Sequence, residues 1–317
     1  MSTWVGLDIS KDTIDVGYFI EEKGFHFKIE NTSMGFKKLI KEIPEDSKVV
    51  MEATGVYYLK CAQTLVERNI FVSVENPLRI KRFSQMNLRR SKTDKKDALL
   101  IAKYGEFNMP EHWNVPTKNQ LQSQQLLSAI DLQVKTITQF KNQFHAFSHS
   151  GIEDKFVLGT LQKGILNLEK TKLKLEAELL KIIKIDFKEE FDLINSIPSI
   201  GETTACLILT KVGDCSSFET SRQLASFFGI TPSESFSGTS IHKKGGISKM
   251  GSSRVRRQLY MCSLSAIRYN SLVKPMYLRM REKGKHNKII LVAIMNKLVR
   301  QMFGVLKSRK PYDPSFI

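Results

Sequence analysis

The chain has 317 residues, of which 41% are hydrophobic, so it is long enough for two packed domains and a connector. No stretch approaches the roughly 18 uncharged apolar residues of a membrane span, and the opening MSTWVGLDIS lacks the pattern of a secretory signal. The four cysteines show no CxxC spacing, which argues against a zinc or disulfide framework. We therefore expect a cytoplasmic protein with no membrane partner.

Positive charge is abundant and unevenly distributed. The formal net charge is +17, and the segment from Thr231 to Ile317 holds 18 lysines and arginines against three acidic residues. A second basic run lies between Arg79 and Lys96. Solubility needs no such one-sided bias, so the charge predicts a polyanionic partner and favours nucleic acid over an anionic membrane or another acidic partner.

The first third of the chain reads as a mixed α/β domain. Residues 3–20 predict two strands, FHFKIE predicts a third, and a helix follows around Met34 to Ile43. KVVMEA and IFVSVEN predict two further strands on either side of a helix, and helical segments follow Asn76 and Thr93. Three strands followed by alternating helix and strand is the order of a ribonuclease-H-like fold, which we assign to residues 1–112.

The rest of the chain is predicted to be mostly helical. Residues 113–188 are rich in Gln, Leu, Lys and Glu at helical spacing, which predicts either a coiled-coil hairpin or an ordinary helical connector. Residues 189–317 form the basic C-terminal domain. Its Ile197–Gly201 turn resembles a helix-hairpin-helix element, which contacts phosphate in one interpretation and is only a structural turn in the other. A Ser- and Gly-rich loop, SESFSGTSIHKKGG, precedes the last basic helices.

Four acidic residues stand out by their positions in the predicted elements. Asp8 ends the first strand and Glu52 the fourth, while Asp94 and Asp97 are three residues apart at a helix start and so share one face. Each acid alone is more often a solvated or capping residue. Asp12 and Asp15 lie close to Asp8 in the sequence but are not assigned to the site. Converging carboxylates repel one another unless cations neutralise them, and oxygen-only ligands suit Mg²⁺. The set therefore predicts a magnesium site that holds two ions, to which Lys92, Lys95 and Lys96 would draw phosphates.

Several motifs, in the same order, resemble one family over nearly the whole chain. These are GLDISKDTIDV, MEATGVYY, KTDKKDALLIA, IPSIGETTACLILTKVGD, FETSRQLASFFGITP, SGTSIHKKGGISKMG and RVRRQL. The sequence resembles the DEDD transposases of insertion sequences, the group that includes bridge-RNA-guided recombinases and a pilin-gene invertase. The resemblance implies a RuvC-like metal site at Asp8, Glu52, Asp94 and Asp97.

The resemblance also implies a serine nucleophile that bonds covalently to DNA. Serines in Gly-containing loops usually serve turn chemistry, so composition alone would not single one out. Ser237, ten residues before Ile247, matches the family position best, and Ser235 and Ser240 remain alternatives. The family often has an arginine after the loop proline, whereas Ser233 follows Pro232 here.

Further partners are implied by the resemblance alone. They are donor and target DNA, a noncoding bridge RNA, and further copies of the chain in a dimer or tetramer with composite active sites. Phosphate neutralisation near the serine would come from a basic set: Lys243, Lys244, Lys249, Arg254, Arg256 and Arg257.

Two other functions compete with a metal-dependent, serine-using transposase. One is a RuvC-like junction-resolving nuclease, in which water attacks and the serine loop only binds DNA. The other is a non-catalytic nucleic-acid-binding protein, which would show salt-sensitive binding without magnesium-dependent cutting.

Overall fold

A computed structural model describes residues 3–87, 93–237 and 241–316, and the side chains of 234–245 and 316 lie outside this description. The chain divides into two compact units, residues 1–116 and residues 117–317. The first unit is a mixed α/β domain and the second is mostly helical, as the sequence predicts. Each unit has its own hydrophobic core.

The first unit is built on a five-stranded mixed sheet. Its strands and helices, in chain order, are β1 (Trp4–Ile9), β2 (Thr13–Ile20), β3 (Lys23–Glu30), α1 (Ser33–Glu42), β4 (Lys48–Glu52), α2 (Leu59–Glu67), β5 (Phe71–Glu75), α3 (Pro77–Met86) and α4 (Asp94–Asn108). The sheet order is β3-β2-β1-β4-β5. The first three strands are antiparallel neighbours, and β4 and β5 continue the sheet parallel to β1.

The two faces of this sheet are covered differently because successive side chains of a strand point to opposite sides. Val5, Leu7 and Ile9 of β1 lie in the core shared with Phe36 of α1 and Leu65 of α2. The alternate residues of β1 therefore face the other side, where α4 packs across β1, β2 and β4. This second face carries Asp8.

The second unit contains eight α-helices, one two-stranded hairpin and a short 3₁₀ turn among its described residues. They are α5 (Lys118–Phe147), α6 (Lys155–Asp186), α7 (Lys188–Asn195), α8 (Glu202–Val212), α9 (Ser221–Phe227), β6 (Pro232–Ser237), β7 (Ile241–Ile247), α10 (Ser253–Tyr269), α11 (Val273–Glu282), α12 (Asn287–Ser308) and the turn Pro314–Phe316.

The long helices α5 and α6 pack against each other, and their ends join the core of the C-terminal helices. Leu127 and Ile130 of α5 and Leu179 and Ile183 of α6 belong to the same buried cluster as residues of α8, α10 and α12. The separate connector at residues 113–188 and its coiled-coil character stay predictions.

Two features of the second unit depart from the sequence-based expectation. The Ser-rich segment, predicted to be a loop, forms the antiparallel β6–β7 hairpin, in which Ser237 pairs with Ile241 and residues 238–240 lie outside the described range. Helix α12 is also long and apolar enough to cross a membrane by length and composition alone. Ile290, Ile294 and Leu298 nevertheless lie fully buried in the helical core, so packing within the unit accounts for this apolar stretch.

Candidate active site

The sheet brings two of the predicted acids to neighbouring strand ends. Asp8 is the penultimate residue of β1 and Glu52 the last of β4, one step beyond the parallel Leu7–Met51 pair. Val50 of β4 packs in a small cluster with Ile101 of α4, so Glu52, two residues on, points to the same side. Asp8 and Glu52 therefore both face α4.

Helix α4 supplies the other two acids from its first turn. Thr93 caps the helix by accepting a hydrogen bond from the Lys96 backbone N–H, and Asp94 and Asp97 follow at once. Acidic side chains are favoured there because the helix N-terminus carries partial positive charge. The cap thus fixes where the paired acids stand.

Two glycines let α4 lie directly against the strands. A Cβ on Gly6 would stand 2.2 Å from the Ala98 carbonyl oxygen and 2.3 Å from the Ala102 nitrogen, and one on Gly17 would stand 2.7 Å from the Leu99 nitrogen. Gly6 and Gly17 are register partners on β1 and β2 and form a flat patch under the helix. No other residue fits here, so this contact sets the separation between Asp8 and the start of α4.

Three of the four acids line one open cavity of about 850 Å³. Asp8, Glu52 and Asp97 lie on its wall, while Asp94 lies outside this lining. Helix α3 and its cap residue also line the cavity and contribute Asn76, Lys81, Ser84 and Gln85 among others. A pocket lined by carboxylate, amide, hydroxyl and ammonium groups can hold both a cation and a phosphate.

The Asp8 carboxyl is partly buried and lies among other acidic side chains. Burial, followed by the negative charges of Asp97, Asp94, Glu52 and Asp15 in decreasing order, raises the pKa of the Asp8 carboxyl to about 6. All four predicted acids therefore interact electrostatically. Glu52 is held in part by Thr54, whose hydroxyl donates to its Oε1 at 3.0 Å.

The carboxylates are gathered but not at ligating distances. Among the residues that the structure describes, no three His, Cys, Asp or Glu side chains stand close enough to hold a metal ion. The donor chemistry nevertheless fits a hard cation, because Asp8, Glu52 and Asp97 all offer carboxylate oxygens to the same cavity.

Asp94 belongs to a charged network beside the pocket. Lys28 Nζ lies 3.2 Å from Asp15 Oδ2 and 4.0 Å from Asp94 Oδ2, and His26 Nε2 lies 2.8 Å from Asp15 Oδ1. The Asp94 side chain is 70% exposed, whereas that of Asp15 is 8% exposed. Asp15 is thus paired with two basic side chains of β3.

The serine and the predicted basic residues are placed to different extents. Ser237 ends β6 and Ser235 lies within it, but their side chains and those of Lys243 and Lys244 lie outside the described residues, as do Lys92 and Ser240 entirely. Of the remaining predicted basic residues, four are exposed: Lys95, Lys96, Lys249 and Arg257. Those four are accessible to a polyanion.

Arg254 and Arg256 have internal partners in the second unit. Arg254 forms an ion pair with Asp131 of α5 at 3.0 Å and donates to the Leu127 carbonyl. Arg256 donates to the carbonyls of Phe228 and Gly251. Both guanidinium groups tie α10 to neighbouring segments, a structural role that the sequence did not reveal.

Other contributors to the site were also missed from the sequence. The sequence could have indicated Gly6 and Gly17, since a glycine inside a strand often marks a close approach of another backbone. Lys28 and the α3 side chains Ser84 and Gln85 had no such signal, because their proximity to the acids arises only from the folded arrangement.

Comparison with known proteins gives matches along most of the chain. Residues 5–147 match the family model of DEDD transposases, described as "Transposase", and residues 191–278 match the "Transposase IS116/IS110/IS902 family". Pilin gene-inverting proteins of Moraxella bovis and Moraxella lacunata are each 29% identical over 98% of both chains. A transposase for insertion sequence element IS1111A of Coxiella burnetii is 29% identical over 50% of this chain and 43% of its own. The acidic pocket falls within the first matched region and the β6–β7 hairpin within the second, and the chain belongs to the IS110 family of transposases.

Proposed function

We propose that this protein is a magnesium-dependent transposase or site-specific recombinase that cuts and rejoins DNA through a covalent serine–DNA link. Family membership supports an enzyme that acts on DNA. The observation that carries the metal-dependent chemistry is the placement of Asp8, Glu52 and Asp97 around one cavity, with Asp94 in the same first turn of α4 as Asp97.

The first unit is proposed to be a RuvC-like, ribonuclease-H-like catalytic domain. The strand order β3-β2-β1-β4-β5, with three antiparallel strands followed by two parallel ones, supports this assignment. In such a sheet, functional groups collect where the parallel strands end, which is where Asp8 and Glu52 stand.

Asp8, Glu52, Asp94 and Asp97 would hold the magnesium, since four carboxylates together carry the negative charge that two divalent ions require. Bound magnesium would polarise the scissile phosphate and stabilise the charge on the leaving oxygen. The chain's own part would be to orient the phosphate through Lys81, Ser84 and Gln85 of α3, which line the same cavity as the acids.

Ser237 is the proposed nucleophile. Its Oγ would form a bond to the scissile phosphorus while the bond from phosphorus to the leaving strand's oxygen breaks; the serine hydroxyl gives up a proton and the leaving oxygen gains one. The phosphodiester energy is then kept in the phosphoserine for rejoining. Ser237 is the last residue of β6 and pairs with Ile241 of β7.

Partners follow from the same proposal. Donor and target DNA would be bound by the basic second unit, with a noncoding bridge RNA pairing to both and the Ile197–Gly201 turn contacting phosphate. Acids and serine would come together in composite sites of a dimer or tetramer, acting in the bacterial cytoplasm.

Trapping of covalent adducts tests this proposal. Purified protein is incubated with labelled element-end and target DNA, the RNA encoded beside its gene and Mg²⁺, then run on a denaturing gel. Wild type should give a protein–DNA band that disappears in Ser237→Ala, Asp8→Ala and Asp94→Ala, while Ser237→Ala still binds DNA.

The same gel separates the competing functions and serines. If adducts persist in Ser237→Ala but vanish in Ser235→Ala or Ser240→Ala, the serine whose substitution abolishes them is the nucleophile. Cut DNA with no adduct would indicate a junction-resolving nuclease that uses water. DNA binding without cutting would indicate a non-catalytic protein.

A further inference from the structure

Two adjoining cavities run along one side of helix α12 in the second unit. One, of about 1060 Å³, lies between α12 and the C-terminal segment from Lys310 to Pro314, and the other, of about 720 Å³, lies between α12, α9 and α11. Lys297 and Arg300 line both. Because the two cavities share these residues, we name them together the α12 groove.

The α12 groove is strongly basic. Its lining cations are Arg222, Arg279, Lys297, Arg300 and Lys310. Arg222, Arg279, Lys297 and Arg300 form no ion pair with an acidic side chain of the described residues. Burial, and then the positive charge of Arg300, lowers the pKa of Lys297, as expected for neighbouring cations that lack a counterion.

The described lining of the groove includes one acidic side chain, Asp313, which accepts hydrogen bonds from a neighbouring residue. Asp313 accepts hydrogen bonds from the backbone N–H of Ser315 at 2.8 Å and from its hydroxyl at 2.6 Å. Asp313 forms no ion pair with Arg222, Arg279, Lys297 or Arg300 in the described part of the chain. Cations arranged in this way complement a chain of phosphates rather than a single carboxylate.

The walls of the groove are fixed by hydrogen bonds. The Tyr312 backbone N–H donates to Ser196 Oγ at 2.8 Å and its hydroxyl donates to Asn270 Oδ1 at 3.2 Å, which holds the C-terminal segment in place. At the other end Asn296 Nδ2 donates to the Ile230 carbonyl at 3.3 Å. Thr231 and Pro232, the next residues, line the groove and begin the β6–β7 hairpin.

We propose that the α12 groove binds the sugar–phosphate backbone of a DNA strand and leads it to the base of the β6–β7 hairpin. This inference rests on the proposed function, since it assigns the groove to the DNA that Ser237 would attack. Lys297 and Arg300, at the junction of the two cavities, are the central phosphate contacts, and Arg222 and Arg279 flank the hairpin end.

Gly304 offers a test that leaves the charge unchanged. It lines the groove on an exposed turn of α12, and a Cβ there meets nothing within 4 Å. Gly304→Trp should fill the groove without disturbing the helix, and Gly304→Ala is its matched control. Binding of a fluorescein-labelled DNA duplex of mixed sequence is followed by anisotropy in EDTA, so that no cleavage contributes. We expect Gly304→Trp to weaken binding several-fold and Gly304→Ala to leave it unchanged.

Charge removal provides the second arm. Lys297→Ala with Arg300→Ala should weaken DNA binding and lower the slope of log K against log salt by about two, because each of the two cations should neutralise roughly one phosphate. The control, Lys283→Ala with Lys285→Ala, removes the same charge from exposed positions outside the groove lining. It should change both quantities less. Thermal unfolding of each variant checks that the fold is kept.

Three results would overturn the proposal. They are equal weakening of binding in the groove and control pairs, unchanged binding in Gly304→Trp, and weakened binding of a matched RNA with DNA binding intact. Wild-type protein that fails to bind DNA at all would instead contradict the proposed function, which separates the two failures.

Discussion

Asp8 carries an electrostatic cost when no cation is bound. Its pKa is raised from 3.8 to about 6, so the folded state binds a proton more tightly than the unfolded state does. Stability is therefore greatest below pH 3.8 as far as this group is concerned, and it falls as the pH rises to about 6. Such a cost is expected where a carboxylate is arranged for a cation rather than for the stability of the fold.

Asp8→Asn should remove this cost. In EDTA at pH 7 we expect the variant to be more stable than wild type by on the order of 1 kcal/mol, a figure reduced for the partial exposure of the group. The gain should shrink near pH 4 and when magnesium is added to both proteins. Urea unfolding at several pH values measures it, and a gain that is independent of pH would contradict the assignment of its cause.

The contact of α4 with β1 is the element-scale feature on which the site depends. Because Gly6 meets the α4 backbone at distances that no Cβ tolerates, any side chain there must push the helix and its acids away from Asp8. The strand and the helix thus position the carboxylates jointly. Neither element does so alone.

Gly6→Ala should destabilise the first unit by about 1–3 kcal/mol or more and abolish DNA cleavage, because overpacking against backbone cannot be relieved by a rotamer change. Chemical unfolding and the adduct assay measure the two effects. Gly159→Ala, within α6 where a Cβ meets nothing within 4 Å, is the control and should stabilise by about 0.5–1 kcal/mol. A Gly6→Ala protein with full stability and activity would refute the close contact.

The tie between α10 and α5 gives a second prediction at this scale. Arg254 is paired with Asp131, and its side chain is only 17% exposed. Arg254→Ala should cost about 1–3 kcal/mol because it leaves a partly buried carboxylate without its partner. A double-mutant cycle with Asp131→Ala should show coupling between the two. Independent effects, with DNA binding abolished in Arg254→Ala alone, would favour the phosphate contact that the sequence predicts.

At the scale of the whole molecule, the sequence predicts the sheet better than the basic half. Alternating apolar residues predicted β1, which ends one residue beyond Asp8. The i,i+3 spacing predicted one shared face for Asp94 and Asp97, but Asp97 lines the cavity whereas Asp94 lies outside its lining. The β6–β7 hairpin was missed because Ser and Gly are typical of loops and because, within the described part of the chain, its two strands form a sheet of their own. The partners of Arg254 and Arg256 were missed because they lie far away in sequence or on backbone carbonyls.

The positive charge of the second unit was also predicted only in part from the sequence. Composition predicts that the second unit binds a polyanion, but it does not separate cations that tie helices together from those that line the α12 groove. Arg254 and Lys297 are equivalent in a charge count and differ in the fold, where one has a carboxylate partner and the other faces a cavity.

The central claim, that the four acids form one cation site, is tested most directly by manganese binding. Mn²⁺ substitutes for Mg²⁺ at oxygen sites, and its free and bound forms are distinguished by electron paramagnetic resonance. We predict that wild type binds Mn²⁺ in competition with Mg²⁺, that Asp8→Asn and Asp97→Asn lose this binding, and that Asp12→Asn, at an exposed acid just beyond β1, retains it. Binding that survives in both Asp8→Asn and Asp97→Asn, or that is absent from wild type, would show that the acids do not form such a site.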